Sequence, residues 1–190
     1  MKDDLEGRLE FLRRAEGLKD TMRTAYTSEG RVESVADHTW RLCLFVVTFA
    51  DLMPDVDVLT LLKMCLLHDL GEVVDGDIPA PDQVNQPSKS DKERRDFESV
   101  IATLPEAVRS EFLALWDDYE NIHSDEAVTA KAIDKLETIL QHNQGNNPAG
   151  FDYRFNLGYG RQHTDKLPLA KTLRKQLDAD SEANARRYQD

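Results

Sequence analysis

The apolar residues of this 190-residue chain recur at helical spacing along most of its length, which restricts the chain to folds made of packed helices. Two stretches, Leu42–Met53 and Leu61–Leu67, are apolar enough to predict buried helices. No run that alternates apolar and polar residues is long enough to predict a strand. The sequence therefore predicts an all-α fold.

Residues typical of helix termini predict where helices begin and end in the first half of the chain. A first amphipathic helix is predicted by three leucines at helical spacing, Leu5, Leu9 and Leu12. Ser34 and Asp37 resemble a capping box that opens a helix running to about Met53. Asp57 is the predicted cap of a second buried helix, which runs to about Glu72.

The second half of the chain alternates between loops and further helices. Residues 74–87 contain three prolines and predict an ordered loop. Ser124 is the predicted cap of a helix that ends near Gly145. Residues 145–166 predict a loop rich in Gly and Asn, followed by a last amphipathic helix that starts near Pro168.

The charge of the chain limits the partners that it can bind. It carries 24 basic and 36 acidic side chains, a formal net charge of −12. Because a polyanion would be repelled, we expect neither nucleic acid nor an anionic membrane surface as the main partner. A small phosphorylated substrate is compatible, since one bound metal ion reverses the local field. The length and the 40% apolar share predict one folded domain over residues 1–190.

The cysteines and the apolar segments indicate a cytoplasmic protein. Cys43 and Cys65 both lie inside apolar runs, where reduced and buried cysteines are usual. The first residues contain no apolar signal core, and the longest apolar stretch has only twelve residues, too few to span a bilayer. We therefore expect a cytoplasmic protein without a membrane segment.

A His-Asp pair at the end of an apolar run is the first candidate for chemistry. His68 and Asp69 follow Leu61–Leu67 directly, so the predicted helix presents them from a buried position. Glu72 lies on the same helical side, and Asp75 and Asp77 follow closely. Carboxylates crowded around a buried histidine repel one another unless a positive charge lies among them. A divalent cation is the simplest explanation.

Two further residues on other apolar helices are candidate metal ligands. His38 lies in the first turn of the helix opened by Ser34, and Asp134 lies in a helix that is expected to pack. Taken singly, His38 is also compatible with a buried core histidine. Asp134 is likewise compatible with a surface carboxylate paired with Lys131 or Lys135.

Taken in order, His38, His68-Asp69 and Asp134 resemble the H…HD…D signature of the HD-domain superfamily of metal-dependent phosphohydrolases. The segments SVADHTWR from residue 34 and HDLGEVVDGDIP from residue 68 resemble the ESVxEHS and HDxxExxxGDxPxP segments of the small 5′-deoxynucleotidases. The resemblance covers residues 18–147 and leaves the C-terminal loop and helix, 148–190, unassigned. It implies a single helical HD domain with a metal site between core helices.

The resemblance also implies a role for each matching residue. His38, His68, Asp69 and Asp134 correspond to the metal ligands, and they would hold one divalent ion. Glu72 and Asp77 match the two acidic residues used in catalysis, one of which would deprotonate a water molecule. The ligand types do not select among Mn²⁺, Co²⁺, Fe²⁺, Zn²⁺ and Mg²⁺. The resemblance further implies a homodimer.

The substrate-binding residues are predicted from one match and one departure. Arg23 corresponds to the Arg of an Arg-Trp pair that contacts phosphate and sugar in the deoxynucleotidases, but Thr24 stands where the Trp would be. We therefore expect weaker discrimination between ribose and deoxyribose than in the deoxy-selective members. Arg41 is a second candidate for holding phosphate oxygens.

Three functions remain open at this point. The leading prediction is hydrolysis of the phosphomonoester of nucleoside 5′-monophosphates by a metal-activated water. A second is hydrolysis of another phosphoester, such as a cyclic nucleotide or an alarmone. A third is a non-catalytic, metal-containing nucleotide-binding protein. Glu72 and Asp77 favour an enzyme, because a purely structural metal site would not need them.

Overall fold

The computed structural model describes residues 2–77 and 89–188, and these residues form helices joined by short turns and one hairpin. The elements in the first half are α1 (Lys2–Ala15), β1 (Met22–Tyr26), β2 (Val32–Ser34), α2 (Val35–Phe49), α3 (Val58–Leu67) and α4 (Glu72–Asp75). Those in the second half are α5 (Lys89–Ile101), α6 (Glu106–Asn121), α7 (Asp125–Gln144), α8 (Phe155–Gly158), α9 (Arg161–Thr164) and α10 (Pro168–Tyr188). Short 3₁₀ turns follow α1 and α2. The predicted helical class is confirmed.

Helix α7 lies at the centre of the fold. It packs against α2, α3, α6 and α10, and twelve of its 20 residues are buried. Small residues such as Ala127, Ala130 and Ala132 let neighbouring backbones approach closely. Because α7 is covered on most sides, the polar side chains on it are held in the interior.

The predicted helix starts agree with the structure. Ser34 accepts a hydrogen bond from the backbone N–H of Asp37, whose side chain bonds back to Ser34 to complete the capping box of α2. Asp57 caps α3, and Ser124 caps α7. These side chains satisfy N–H groups that the first helical turn leaves unpaired. The ends of α2 and α3 come earlier than predicted, because 3₁₀ and open turns follow them.

The prediction that no strand forms is wrong for a short hairpin. Strands β1 and β2 pair antiparallel, and the backbone N–H of Val35 bonds to the carbonyl of Thr21 beside them. The hairpin also packs on α7, where the Gln141 side chain donates to the carbonyl of Tyr26. Strands this short depend on such tertiary contacts, so the sequence pattern alone does not indicate them.

Helix α1 forms as predicted but packs through a different face. Its three predicted core residues are exposed: Leu5 (58%), Leu9 (49%) and Leu12 (61%). The packed face instead carries Gly7, whose carbonyl accepts from Thr103 at 3.0 Å, and Phe11, whose ring centroid is 6.0 Å from that of Phe112. Gly7 allows this approach because it has no Cβ.

The predicted loop over 74–87 is only partly comparable with the structure. Its first residues continue the helical turn α4, which ends where Gly76 adopts a φ of +84°. Residues 78–88, including the three prolines, lie outside the described residues.

The predicted loop over 145–166 contains two helical turns, α8 and α9. They are held to α10 by the buried guanidinium of Arg174, which donates to the carbonyls of Asn156 and Tyr159 at 2.6 and 2.7 Å. Among the described residues, no helix combines the length and apolar character that crossing a membrane requires.

Candidate metal centre

Three of the predicted ligands form a compact cluster. One potential ligand atom from each of His38, His68 and Asp69 lies within 4.8 Å of the others. Asp69 Oδ2 is 3.0 Å from His68 Nε2 and 3.8 Å from His38 Nε2. The capping box of α2 sets the first turn that carries His38, and the C-terminal end of α3 carries His68.

Asp134 joins this cluster from the central helix. Its Oδ1 is 3.4 Å from His38 Nε2, and only 5% of the residue is exposed. Three helices, α2, α3 and α7, thus bring together residues that are far apart in sequence. The compact group therefore comprises His38, His68 and Asp69, and Asp134 adjoins it through His38.

The two imidazoles are oriented with one nitrogen paired and one unpaired. His68 Nδ1 is 2.9 Å from the carbonyl of Cys65, which can only accept, so the proton lies on Nδ1. His38 Nδ1 contacts the carboxylate of Glu137. Neither Nε2 has a hydrogen-bond partner among the described residues, although both are buried. A buried nitrogen without a partner costs free energy, and a cation beside Asp69 and Asp134 would supply that partner.

The donor set therefore fits a divalent metal ion. Two imidazole nitrogens and two carboxylates are ligands that Mn²⁺, Co²⁺, Fe²⁺, Zn²⁺ and Mg²⁺ accept to different degrees, so the set does not fix the metal. The backing of each histidine by an acceptor on Nδ1 is the usual outer contact of a metal-bound histidine.

Charge around His38 is dominated by carboxylates. Burial and the charge of Arg23 lower its pKa, but Glu137 and Asp134 outweigh them and raise it to about 9. Burial opposes ionisation of Asp134, yet Lys135 and His38 hold the pKa of that carboxyl well below its usual range. Without a metal ion, the cluster therefore attracts a proton to a site that a cation would otherwise fill.

Glu72 follows the cluster residues in the next helical turn and is half-buried among other carboxylates. Its Oε2 is buried and has no hydrogen-bond partner among the residues described. Burial first, and then the negative charges of Asp69 and Asp77, raise its pKa to about 10. A carboxyl group that readily holds a proton beside a cation site is a candidate general acid or base.

Arg23 reaches the cluster from strand β1, but Thr24 does not. Arg23 Nη1 is 3.8 Å from Asp69 Oδ2, and Nε donates to Glu33 at 3.1 Å. Successive strand residues point to opposite faces, and Thr24 lies on the exposed one. The contact of Thr24 with the substrate sugar stays a prediction.

The side chain of Arg41 is hydrogen-bonded on the Nδ1 side of His38. Its Nε donates to Glu137 Oε1 at 2.6 Å and its Nη1 to Gln144 at 3.1 Å. Since Glu137 contacts the Nδ1 edge of His38, Arg41 stands behind the ring rather than beside Asp69. The arrangement gives Arg41 a positioning contact to Glu137, and its role as a phosphate ligand stays a prediction.

Sequence reasoning missed two residues that hold the ligands in place, Glu137 and Tyr119, and it named Lys135 only as a partner of Asp134 in a surface ion pair. Glu137 is fully buried against His38, Tyr119 donates its hydroxyl to Asp134 Oδ2 at 3.1 Å, and Lys135 Nζ is 2.8 Å from the same oxygen. The only available signal was the spacing of Asp134 and Glu137, which puts two carboxylates on one helical face. Tyr119 has no comparable signal.

The raised pKa values predict how the metal-free protein responds to pH. Glu72 titrates near pH 10 and His38 near pH 9 when folded, against ordinary values of 4.5 and 6.5. Between pH 7 and 9 the folded state therefore binds more protons than the unfolded state, and the free energy of unfolding falls as pH rises. His142 and His163, whose pKa values are lowered, act below this window.

Denaturant unfolding after chelation, at half-unit steps from pH 7 to 9, measures this slope. Glu72 and His38 each change the free energy of unfolding by at most about 1.4 kcal/mol per pH unit. Glu72→Gln should remove the contribution of Glu72, so the free energy of unfolding should fall less steeply with pH. A wild-type stability that stays constant or rises over this window would contradict the prediction.

Comparisons with known proteins find extensive similarity along the chain. The model of the HD domain family matches residues 15–174. The 5′-deoxynucleotidase HDDC2 of Danio rerio is 30% identical over 179 residues, which cover 90% of this chain and 88% of the relative. The 5′-deoxynucleotidase HDDC2 of Dictyostelium discoideum is 31% identical over 187 residues, covering 90% and 97% of the two chains.

Solved structures share the fold. A predicted metal-dependent phosphohydrolase from Magnetospirillum magnetotacticum MS-1 superposes with a TM-score of 0.75 at 24% identity, covering 97% of both chains. The PH0347 protein from Pyrococcus horikoshii OT3 has a TM-score of 0.64 at 25% identity, covering 92% of this chain and 98% of its own. Both similarities extend across nearly the whole length, including the C-terminal segment that the sequence motifs do not cover.

Proposed function

Because the chain belongs to the HD-domain family, we propose that it is a metal-dependent phosphohydrolase acting on nucleoside 5′-monophosphates. The observation that carries this proposal is the pair of unpartnered Nε2 atoms on His38 and His68, which face Asp69 and Asp134 in a buried cluster. The nucleotide as substrate class is supported by relatives named 5′-deoxynucleotidases. The net charge of −12 favours a small nucleotide over a nucleic acid.

In this proposal, His38, His68, Asp69 and Asp134 hold one divalent ion. Such an ion supplies Lewis acidity and lowers the pKa of water from about 15.7 towards 7. The contribution of the protein is to keep the donor atoms in place before the ion binds. Glu137 and the Cys65 carbonyl do this by fixing the two imidazole rings through Nδ1.

Glu72 is the proposed proton carrier. Hydrolysis of a phosphomonoester takes one proton from the attacking water and delivers one to the departing 5′ oxygen. A carboxyl group buried beside Asp69, with a pKa raised to about 10, holds a proton easily and loses it more readily once a cation is near. Asp77 contributes to this raised pKa through its charge and is the second proposed catalytic residue.

Arg23 is the proposed phosphate anchor. Its side chain is only 13% exposed, and Glu33 and Thr138 hold it at 3.1 and 3.3 Å so that Nη1 points to Asp69. A guanidinium fixed in this way loses little entropy when it binds phosphate oxygens.

A phosphate-release screen tests the proposal directly. The purified protein would be incubated with matched ribo- and deoxyribonucleoside 5′-monophosphates, each with Mn²⁺, Co²⁺, Fe²⁺, Zn²⁺ or Mg²⁺. We expect release with at least one ion and none after chelation. Cyclic nucleotides and alarmones belong in the same screen, since release from these alone would replace the proposed substrate class. Comparing the sugars measures the deoxy preference.

We also propose that the protein is a homodimer. Three apolar side chains follow one another on the outer face of α2, Trp40 (66% exposed), Leu44 (47%) and Val47 (58%). A contiguous exposed apolar stripe of this kind is typical of an interaction surface. Light scattering should give twice the chain mass of 21.7 kDa, and Trp40→Glu should shift the mass towards the monomer. A monomeric wild-type mass at micromolar concentration would contradict this.

A further inference from the structure

Lys135 occupies the outer side of the Asp134 carboxylate, at the edge of the metal centre. Its Nζ is 2.8 Å from Asp134 Oδ2, and Tyr119 donates to the same oxygen at 3.1 Å. The other oxygen, Oδ1, faces His38, with Nε2 3.4 Å away. One carboxylate group therefore contacts the Lys135 ammonium through Oδ2 and faces His38 through Oδ1.

The C-terminal segment directs Lys135 to this place. The Tyr159 ring centroid is 5.3 Å from Nζ, close enough for a cation–π contact. Gly160 has a φ of +68°, and a Cβ there would lie 2.6 Å from Cβ and Cγ of Lys135. The turn thus packs against the lysine stem and leaves 22% of the side chain exposed. The turn at Tyr159 and Gly160, to which the sequence assigned no role, therefore forms part of the surroundings of Lys135.

Two permanent cations flank the cluster on different sides. Arg23 lies by Asp69, with Nη1 3.8 Å from Oδ2, and Lys135 lies by Asp134. Arg23 is already balanced by Glu33 at 3.1 Å. A divalent ion held by Asp69 and Asp134 would offset both carboxylates. The Lys135 charge would then be released from Asp134 and would attract an anion.

We propose that Lys135 is a substrate-binding residue that holds the phosphate group on the Asp134 side while Arg23 holds it on the Asp69 side. This inference rests on the proposed function and adds a contact that the sequence motifs do not contain. The ammonium exchanges one oxygen of Asp134 for an oxygen of the phosphate, so no buried charge is left unpaired in either state. No covalent step is involved.

Binding of inorganic phosphate to the Mn²⁺-loaded protein, measured by isothermal titration calorimetry, tests this role. Lys135→Met should raise the Kd for phosphate roughly 10- to 100-fold, the usual effect of losing a charge-assisted hydrogen bond. Lys135→Arg should stay within a few-fold of wild type because it keeps the charge and the packed stem.

Lys131→Met is the matched control. Lys131 lies one turn earlier on α7, is similarly buried, and pairs with Glu120 at 2.8 Å instead of with Asp134. It should bind phosphate like the wild type. Equal weakening in the two methionine variants would indicate a general loss of positive charge and would overturn the assignment.

Titration of each metal-free variant with Mn²⁺ separates phosphate binding from positioning of Asp134. Lys135→Met should bind Mn²⁺ at least as tightly as wild type, because a neighbouring positive charge has been removed. Loss of Mn²⁺ binding in Lys135→Met would overturn the proposal, because Lys135 would then be a positioning residue for Asp134. An unchanged Kd for phosphate in the same variant would also overturn it. A wild type that binds no phosphate overturns it as well. The proposed function fails by a different result, the absence of phosphate release from every nucleotide by wild-type protein.

Discussion

Replacing Glu72 with Gln is expected to lower the rate of phosphate release from nucleoside 5′-monophosphates by roughly 10²- to 10⁴-fold, the usual cost of losing a general acid or base. The substitution keeps the size of a buried side chain but removes the group that can exchange a proton. Glu72 has its pKa raised to about 10 by burial, Asp69 and Asp77, so its proton affinity is a product of this site. The fold and the bound cation should be unaffected.

Single-turnover phosphate release and elemental analysis of the same samples measure this prediction. Asp77→Asn should behave similarly, although the size of its effect depends on how far it acts through Glu72. Asp75→Asn is the matched control, since Asp75 is exposed on the same helical turn and pairs with Lys92 instead. Near wild-type rates in both the Glu72 and Asp77 variants would favour a non-catalytic nucleotide-binding protein over an enzyme.

Replacing His68 with Ala is expected to remove the cation and, with it, all measurable phosphate release. Wild-type protein should contain about one divalent ion per chain, held by two histidines and two carboxylates. Without His68, Asp69 loses its nearest neighbour at 3.0 Å, and the remaining carboxylates repel each other. Ions bound to the folded state stabilise it by about 2.7 kcal/mol at 100 times Kd, so chelation should lower the Tm of wild type but not of the variant.

His123→Ala is the control for that experiment. His123 is exposed, whereas His38 and His68 are buried, and it lies far from both in the sequence. It should keep the ion, the activity and the chelator-sensitive Tm. Asp134→Asn should lose the ion like the His68 variant, since it removes one of the two charges that offset the cation. An unchanged metal content in His68→Ala would show that the ion is bound elsewhere.

The sugar specificity is predicted from the residue at position 24. Weak sugar discrimination was expected because Thr24 replaces a Trp, yet the strand places Thr24 on its exposed face. Both the weak discrimination and the part that Thr24 plays in it stay predictions. A deoxy preference above about a thousandfold would show that other residues select the sugar.

Local chemistry in the sequence was sufficient to predict most of the helices, whereas the set of candidate ligands came from the resemblance to the HD-domain superfamily. Capping side chains such as those of Ser34, Asp57 and Ser124 accept hydrogen bonds from N–H groups two or three residues away. Their effect can therefore be predicted from neighbouring residues in the sequence. The H…HD…D order is a pattern of residue types, so it is visible in the sequence before the helices are packed. The structure groups His38, His68 and Asp69 and places Asp134 beside His38, while their role as metal ligands stays a prediction.

Only the tertiary structure decided which faces pack and which contacts support the site. The spacing of Leu5, Leu9 and Leu12 specifies a helix, but the close approach at Gly7 selects the opposite face for packing. Arg41 stands behind His38, and Lys135 is directed to Asp134 by a turn 25 residues further along the chain. Such contacts join residues distant in sequence, and their free energies depend on burial and orientation that arise only when the helices pack, so no local pattern encodes them.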